Sequence, residues 1–205
     1  MGEKRGKFIA IEGIDGCGKS AHAGFVTDYL RRRGYDVFYT EEPSRGRIGR
    51  LLREYLRDES TLSLADAFLF AADRAEHLQH EILPAIAEGK VVVCERYKYS
   101  TFAYQSAQGQ DLQMLKDIHF FAPDPDLVLY LDVTPEEGVN RCERGEKFEK
   151  PDFLKKVHAV YMQLAEEYNF KKIDAMPDKM TVRDSVIKVV QEFLDNNGHP
   201  RPDKE

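Results

Sequence analysis

Short apolar runs alternate along this chain with longer segments whose apolar residues recur at helical spacing. KFIAIEG (7–13), DVFYTEEP (36–43), VVVCER (91–96), PDLVLYLDV (125–133) and FKKIDA (170–175) read as strands, the last the weakest. Residues 19–33, 46–57, 63–88, 98–107, 111–121, 152–168 and 181–196 read as helices. Ser63 is a plausible cap, Gly34 and Gly89 are stops, and Thr134-Pro135-Glu136 is a helix start with proline in the first turn. Strands that are nearly all apolar are expected where both faces are covered. The alternation therefore predicts an α/β fold in three layers, a five-stranded parallel sheet flanked by helices. In such sheets ligands bind beyond the carboxyl ends of the strands.

The 205 residues predict a single domain over 1–197, with NGHPRPDKE at the end reading as a flexible tail from 198. A net charge of -6 argues against a nucleic-acid polymer as partner, which needs a concentrated basic surface. Individual nucleotides need only a few local cations. No apolar run is long enough for a membrane span, and the basic start MGEKRGKFIAIEG has no signal-peptide pattern. Cys17, Cys94 and Cys142 fit reduced thiols of a cytoplasmic protein better than a disulfide frame.

GIDGCGKS, Gly13 to Ser20, stands where the first strand meets the first helix and matches G-x-x-x-x-G-K-[ST]. Gly13, Gly16 and Gly18 let the backbone curl so that its N–H groups, with those of Ile14, Asp15 and Cys17, face phosphate oxygens. Lys19 can reach the β- and γ-phosphates of ATP, and the Ser20 hydroxyl can hold Mg2+. The alternative is a glycine-rich turn without a ligand. A guanine-reading Asn-Lys-x-Asp string is absent, and the length suits a small kinase.

VVVCERYKYSTFAYQ (91–105) puts an acid and a base directly after a buried strand. Beside the phosphate loop, Arg96 can clamp acceptor phosphate oxygens as a planar fork, and Glu95 can hold the hydration shell of a magnesium ion. The bland reading is a surface ion pair. Phe70 and Arg74 are four apart, so on a helix they can offer a ring and a fork to one flat base. From the residues alone LADAFLFAA reads more readily as a core helix, and Tyr104 as a buried aromatic.

In order along the chain, FIAIEGIDGCGKS, EEPSRGRIG, FLFAADRAEH, ERYKYSTFAYQ, PDLVLYLDV and an Arg/Lys-rich segment before a long helix resemble the thymidylate kinases, from about Lys7 to about Leu194. The resemblance implies a P-loop kinase fold with a short lid near 141–151, a homodimer, and Mg2+- and ATP-dependent conversion of dTMP to dTDP. It implies that Asp15 meets the acceptor sugar hydroxyl, that Arg45 and Arg96 grip its phosphate, and that Phe70 stacks on thymine while Arg74 hydrogen-bonds it. Thr101, with Ser100 beside it, would lie along the base edge; Tyr104 would crowd the sugar 2′ position, with Gln105 nearby.

The chain departs from the family where Glu41-Glu42-Pro43 replaces a common Arg-Glu-Pro, which throws more weight onto Arg45, and where Glu95 replaces a common Asp. Some members carry a catalytic arginine in the loop at the position of Gly16; members without it usually supply one from the lid. Here Arg144 is the expected bridge to the transferring phosphoryl, with Arg141 on or near adenine and Lys147 as substitute. A solvated charged run is the alternative for this segment. His77 and His80 read as surface histidines rather than metal ligands. Rival functions are a deoxynucleoside kinase, a kinase of broader deoxynucleoside monophosphate range, and a nucleotide-binding regulator without turnover.

Overall fold

The computed structural model describes residues 5–57, 62–142 and 151–197. Five parallel strands, β1 (Lys7–Glu12), β2 (Val37–Glu41), β3 (Val91–Glu95), β4 (Leu127–Asp132) and β5 (Lys171–Asp174), lie in the order β2-β3-β1-β4-β5. Consecutive strand residues face opposite sides of a sheet. In β3 and β4 all but the last residue is buried, and in β1 all but the first, so helices must cover both faces, as expected for three layers. β5 is an edge strand with only Ile173 buried, which is why its apolar signal is weak.

The helices are α1 (Lys19–Arg32), α2 (Arg47–Tyr55), α3 (Ser63–His77), α4 (Leu83–Ala87), α5 (Lys98–Ala107), α6 (Leu112–Ile118), α7 (Pro135–Arg141), α8 (Pro151–Glu167) and α9 (Lys179–Asn196). α1 packs on α9 and on β2 and β3, α5 on α8, and α3 on α2, α5 and α6. Thr134 caps α7 through the Glu137 N–H. Ser63, expected as a cap, is instead the first residue of α3, after an uncapped Leu62. The predicted helix over 63–88 is broken by a π-helical turn, Leu78–Ile82, directly before the helix carrying Pro84. Proline offers no N–H to the preceding turn, and the wider ladder accommodates that gap.

Register brings the strand ends into line. Ile11 pairs with Glu95 in β3, and Glu95 with Glu41 in β2. The loop after β1, the turn after β2 and the start of α5 after β3 thus emerge together at the carboxyl ends of the strands. None of the described helices is long and apolar enough to cross a membrane.

One core histidine makes stability pH-dependent. His119 donates from Nδ1 to the Leu115 carbonyl at 2.8 Å, stacks on Phe121 and meets Phe102 edge-on. Burial, with help from the positive charge of Arg74, pushes its imidazole down to about 3. An unfolded histidine takes a proton near pH 6.5. The unfolded state therefore gains protons first, and the contribution of His119 is full above that pH and lost as pH falls toward 3. Between pH 7 and pH 5, wild type should lose about 2 kcal/mol more stability than His119→Phe. Urea titrations at both pH values read this difference; parallel losses in the two proteins would refute it.

Candidate active site

The loop Gly13–Ser20 needs glycine most at position 16. Its φ is 77°, and a Cβ there would sit 2.0 Å from the Gly138 carbonyl oxygen of α7. Gly138 is constrained in turn, though less severely, since its own Cβ would lie 2.8 Å from the Asp15 carbonyl oxygen. Loop and helix touch backbone to backbone, which leaves no room for an arginine at 16.

Inside the loop, Lys19 Nζ donates to the carbonyls of Gly13 at 3.0 Å and Ile14 at 2.8 Å. Cys17 is buried, with its Sγ 3.7 Å from the same ammonium, and burial raises its thiol pKa. Ser20 donates to Glu95 Oε1 at 2.7 Å, and Tyr39 donates to Glu95 Oε2 at 3.3 Å. The sequence candidates for magnesium, Ser20 and Glu95, are thus adjacent.

Arg96 leaves β3 at a φ of 62°, a left-handed conformation that a residue other than glycine adopts at some energetic cost. Its N–H donates to Ile11, and the turn swings its side chain across to Asp15, with which it pairs. Asp15 Oδ2 accepts from the Tyr104 hydroxyl at 2.8 Å, and that hydroxyl accepts from the Asp15 N–H at 3.0 Å. Burial alone would raise the Asp15 carboxyl; Arg96 and Lys19 together hold it below the usual value.

Behind this pair lies a cavity of about 160 Å³ lined by Asp15, Arg96, Phe70, Arg74, Thr101 and Tyr104, with Ser100 and Gln105 at its wall. Its walls come from the loop after β1, the turn after β2, α3 and α5. Arg74 pairs with Glu42 through Nε at 2.9 Å and through Nη2, and Nη2 also reaches Thr101 at 3.3 Å. The Ser100 hydroxyl is committed to Glu12 at 2.6 Å, below the site, and accepts from Arg96 at 3.4 Å.

Four residues to which sequence reasoning gave no part in the site shape it. Glu12 is fully buried and also accepts from the Tyr97 N–H and the Tyr161 hydroxyl, so it ties β1 to α5 and α8. Burial raises its pKa despite those three donors. Glu42 is a buried carboxylate held by Arg74 and His77. His77 is 1% exposed, which corrects its reading as a surface histidine: it lies between Glu42 and Thr40. Arg53, on α2, donates to the carbonyls of Pro43 and Ser44 and reaches Glu41 at 3.3 Å. A cation therefore does stand by the turn where the family arginine is missing. Arg45 has an 80% exposed side chain 3.4 Å from Glu41, and it does not line the cavity.

A second cavity, about 390 Å³, opens on the other side of the loop, lined by Gly16, Gly18, His22, Arg141, Pro177 and Lys179 among others. Arg141 is fixed at its wall by Glu137 and by the carbonyls of Ala175 and Met176. Arg144 and Lys147 lie outside the described residues.

The family model of thymidylate kinase matches residues 11–186. The chain belongs to the thymidylate kinase family. It is similar over 93% of its length to a probable thymidylate kinase of Pyrococcus horikoshii, 39% identical with 98% of that protein covered. A probable thymidylate kinase of Staphylothermus marinus is also 39% identical, over 95% of this chain and 99% of its own. The thymidylate kinase of Caldanaerobacter subterraneus is 36% identical, over 93% and 97%. The two cavities thus flank the phosphate loop of a thymidylate kinase family member, one on each side.

Proposed function

We propose that this chain transfers the γ-phosphoryl group of Mg-ATP directly to the phosphate of dTMP, giving dTDP. The observation that carries the reading is the single cavity on which Asp15, Phe70, Arg74, Arg96, Thr101 and Tyr104 converge beside the phosphate loop. An acceptor phosphate is already ionised, so positioning and charge neutralisation are the needs of this chemistry. Arg96, which lines the cavity, grips the acceptor phosphate, and Arg45 and Arg53, both on the side of the site where the turn follows β2, are the candidates for a second cation beside it. Asp15, released by Arg96, takes the sugar hydroxyl, and Tyr104 fills the space at the 2′ position. Phe70 stacks on the base. Arg74 carries only donors and so favours a 4-oxo pyrimidine.

ATP lies along the loop with its base in the second cavity near Arg141, and Lys19 moves from the loop carbonyls to the β- and γ-phosphates. Ser20 and Glu95, hydrogen-bonded to each other, would hold Mg2+ through hydroxyl and carboxylate oxygens. When bound, Mg2+ neutralises charge on the phosphate oxygens. Arg144, with Lys147 as substitute, remains the proposed lid cation. Exposed Leu64 and Phe68, one turn apart on α3, support a homodimer, and the reduced thiols support a cytoplasmic setting.

The test offers ATP and magnesium with dTMP, dUMP, dCMP or thymidine and resolves products by chromatography. dTMP should be the best acceptor. Turnover of thymidine alone would instead make the chain a nucleoside kinase, and binding without product a regulator.

A further inference from the structure

A chain of buried polar groups runs from β2 to the wall of the acceptor cavity, and the chemistry above uses only its last member. Thr40 Oγ1 lies 2.7 Å from His77 Nε2, and His77 Nδ1 lies 3.1 Å from Glu42 Oε1. The other Glu42 oxygen accepts from Arg74 Nε at 2.9 Å and from Arg74 Nη2. His77 and Arg74 are each 1% exposed and Glu42 5%. Arg74 Nη1 is buried with no hydrogen-bond partner in the protein, on a side chain that lines the cavity. A buried donor of this kind is costly until something accepts from it.

Protons can be placed along the chain. Burial alone would raise the Glu42 carboxyl, but Arg74 and His77 hold it below its usual value. An ionised carboxylate only accepts, so His77 Nδ1 carries a proton and donates to it. On the far side of the ring, Nε2 faces the Thr40 hydroxyl. Glu81, 3.9 Å from Nε2, is beyond hydrogen-bond range. The imidazole, engaged at both nitrogens, is thus held in one orientation by β2. It grips the Glu42 oxygen that Arg74 does not use. Without it that oxygen loses a donor, and the carboxylate can turn and take the guanidinium with it.

We propose that His77 is a positioning residue: held by Thr40, it fixes the Glu42 carboxylate and through it the Arg74 fork, and so sets the preference for a 4-oxo over a 4-amino pyrimidine. This rests on the acceptor reading of the cavity given above. The effect belongs in acceptor binding and discrimination, not in phosphoryl transfer or ATP binding.

The test uses three variants. His77→Leu removes both contacts. His77→Asn keeps a donor where Nδ1 stood, and His77→Gln places its amide near Nε2, toward Thr40. Steady-state kinetics with dTMP and dCMP at saturating Mg-ATP, and with ATP varied, read the outcome. His77→Leu should raise KM for dTMP about tenfold with kcat within about threefold, and lower the dTMP-to-dCMP ratio of kcat/KM about tenfold. His77→Asn should recover most of the loss and His77→Gln little, with KM for ATP unchanged throughout. Should His77→Leu fail to fold, the Asn and Gln pair decides alone. An unchanged dTMP KM and ratio in folded His77→Leu, equal rescue by Gln and Asn, or a matching rise in KM for ATP would each overturn the inference. Wild-type protein that makes no dTDP would overturn the acceptor reading and this inference with it. Wild-type turnover with an unaffected His77→Leu overturns this inference alone.

Discussion

Arg96→Ala should lower kcat/KM for dTMP by about 10²–10³-fold. Truncating one partner of a buried charge-assisted pair costs about 2–5 kcal/mol, and each 1.36 kcal/mol is a factor of ten in rate. Two effects act together. The acceptor phosphate loses its fork, and Asp15 loses its nearest cation, leaving its carboxylate with Tyr104 and the more distant Lys19 at 3.9 Å. Arg96→Lys keeps the charge but not the planar pair of donors, so it should recover only part of the loss. Arg96→Gly separates chemistry from backbone strain, because glycine adopts the 62° φ of this position without penalty. It should be as inactive as alanine and no less stable. Activity of Arg96→Ala within tenfold of wild type, at matched melting temperature, would remove Arg96 from the acceptor clamp.

Lys19→Ala should reduce kcat by about 10²–10³-fold, the loss typical of removing one preorganised donor from a developing charge. The ammonium is 5% exposed and already sits within the loop on two carbonyls, so it needs only to exchange those acceptors for phosphate oxygens. Because the acceptor cavity lies on the other side of Asp15, dTMP affinity by calorimetry should stay close to wild type. A variant that loses dTMP binding as severely as turnover would mean that the lysine holds the loop's shape rather than the transferring phosphate.

The sheet, most helix limits and the phosphate loop could be read from the sequence because each depends on local pattern. Buried strands are written as apolar runs, and α5 was legible to the residue, Lys98–Ala107. The loop carries its chemistry in consecutive residues. The polar framework under the site could not be read this way. Glu12, Glu42 and His77 resemble surface residues along the chain, and only three-dimensional pairing shows that each is buried on a matching partner. Arg53 was missed for a related reason: α2 is rich in arginines, and nothing local distinguishes the one that turns toward Pro43. The π-helical turn was equally hidden, although Pro84 marked where a regular ladder had to give way.

The backbone contact between Gly16 and Gly138 bears on how such enzymes can diverge. An arginine imported at position 16 would meet a helix main chain that no rotamer avoids, and changing Gly138 alone would push α7 off the loop without supplying a cation. Each single step is therefore unfavourable by itself. Only a coordinated displacement of the whole helix opens the alternative. In this lineage the loop-borne arginine is separated from the present arrangement by an epistatic barrier, and natural variation at the two positions should move in concert or not at all.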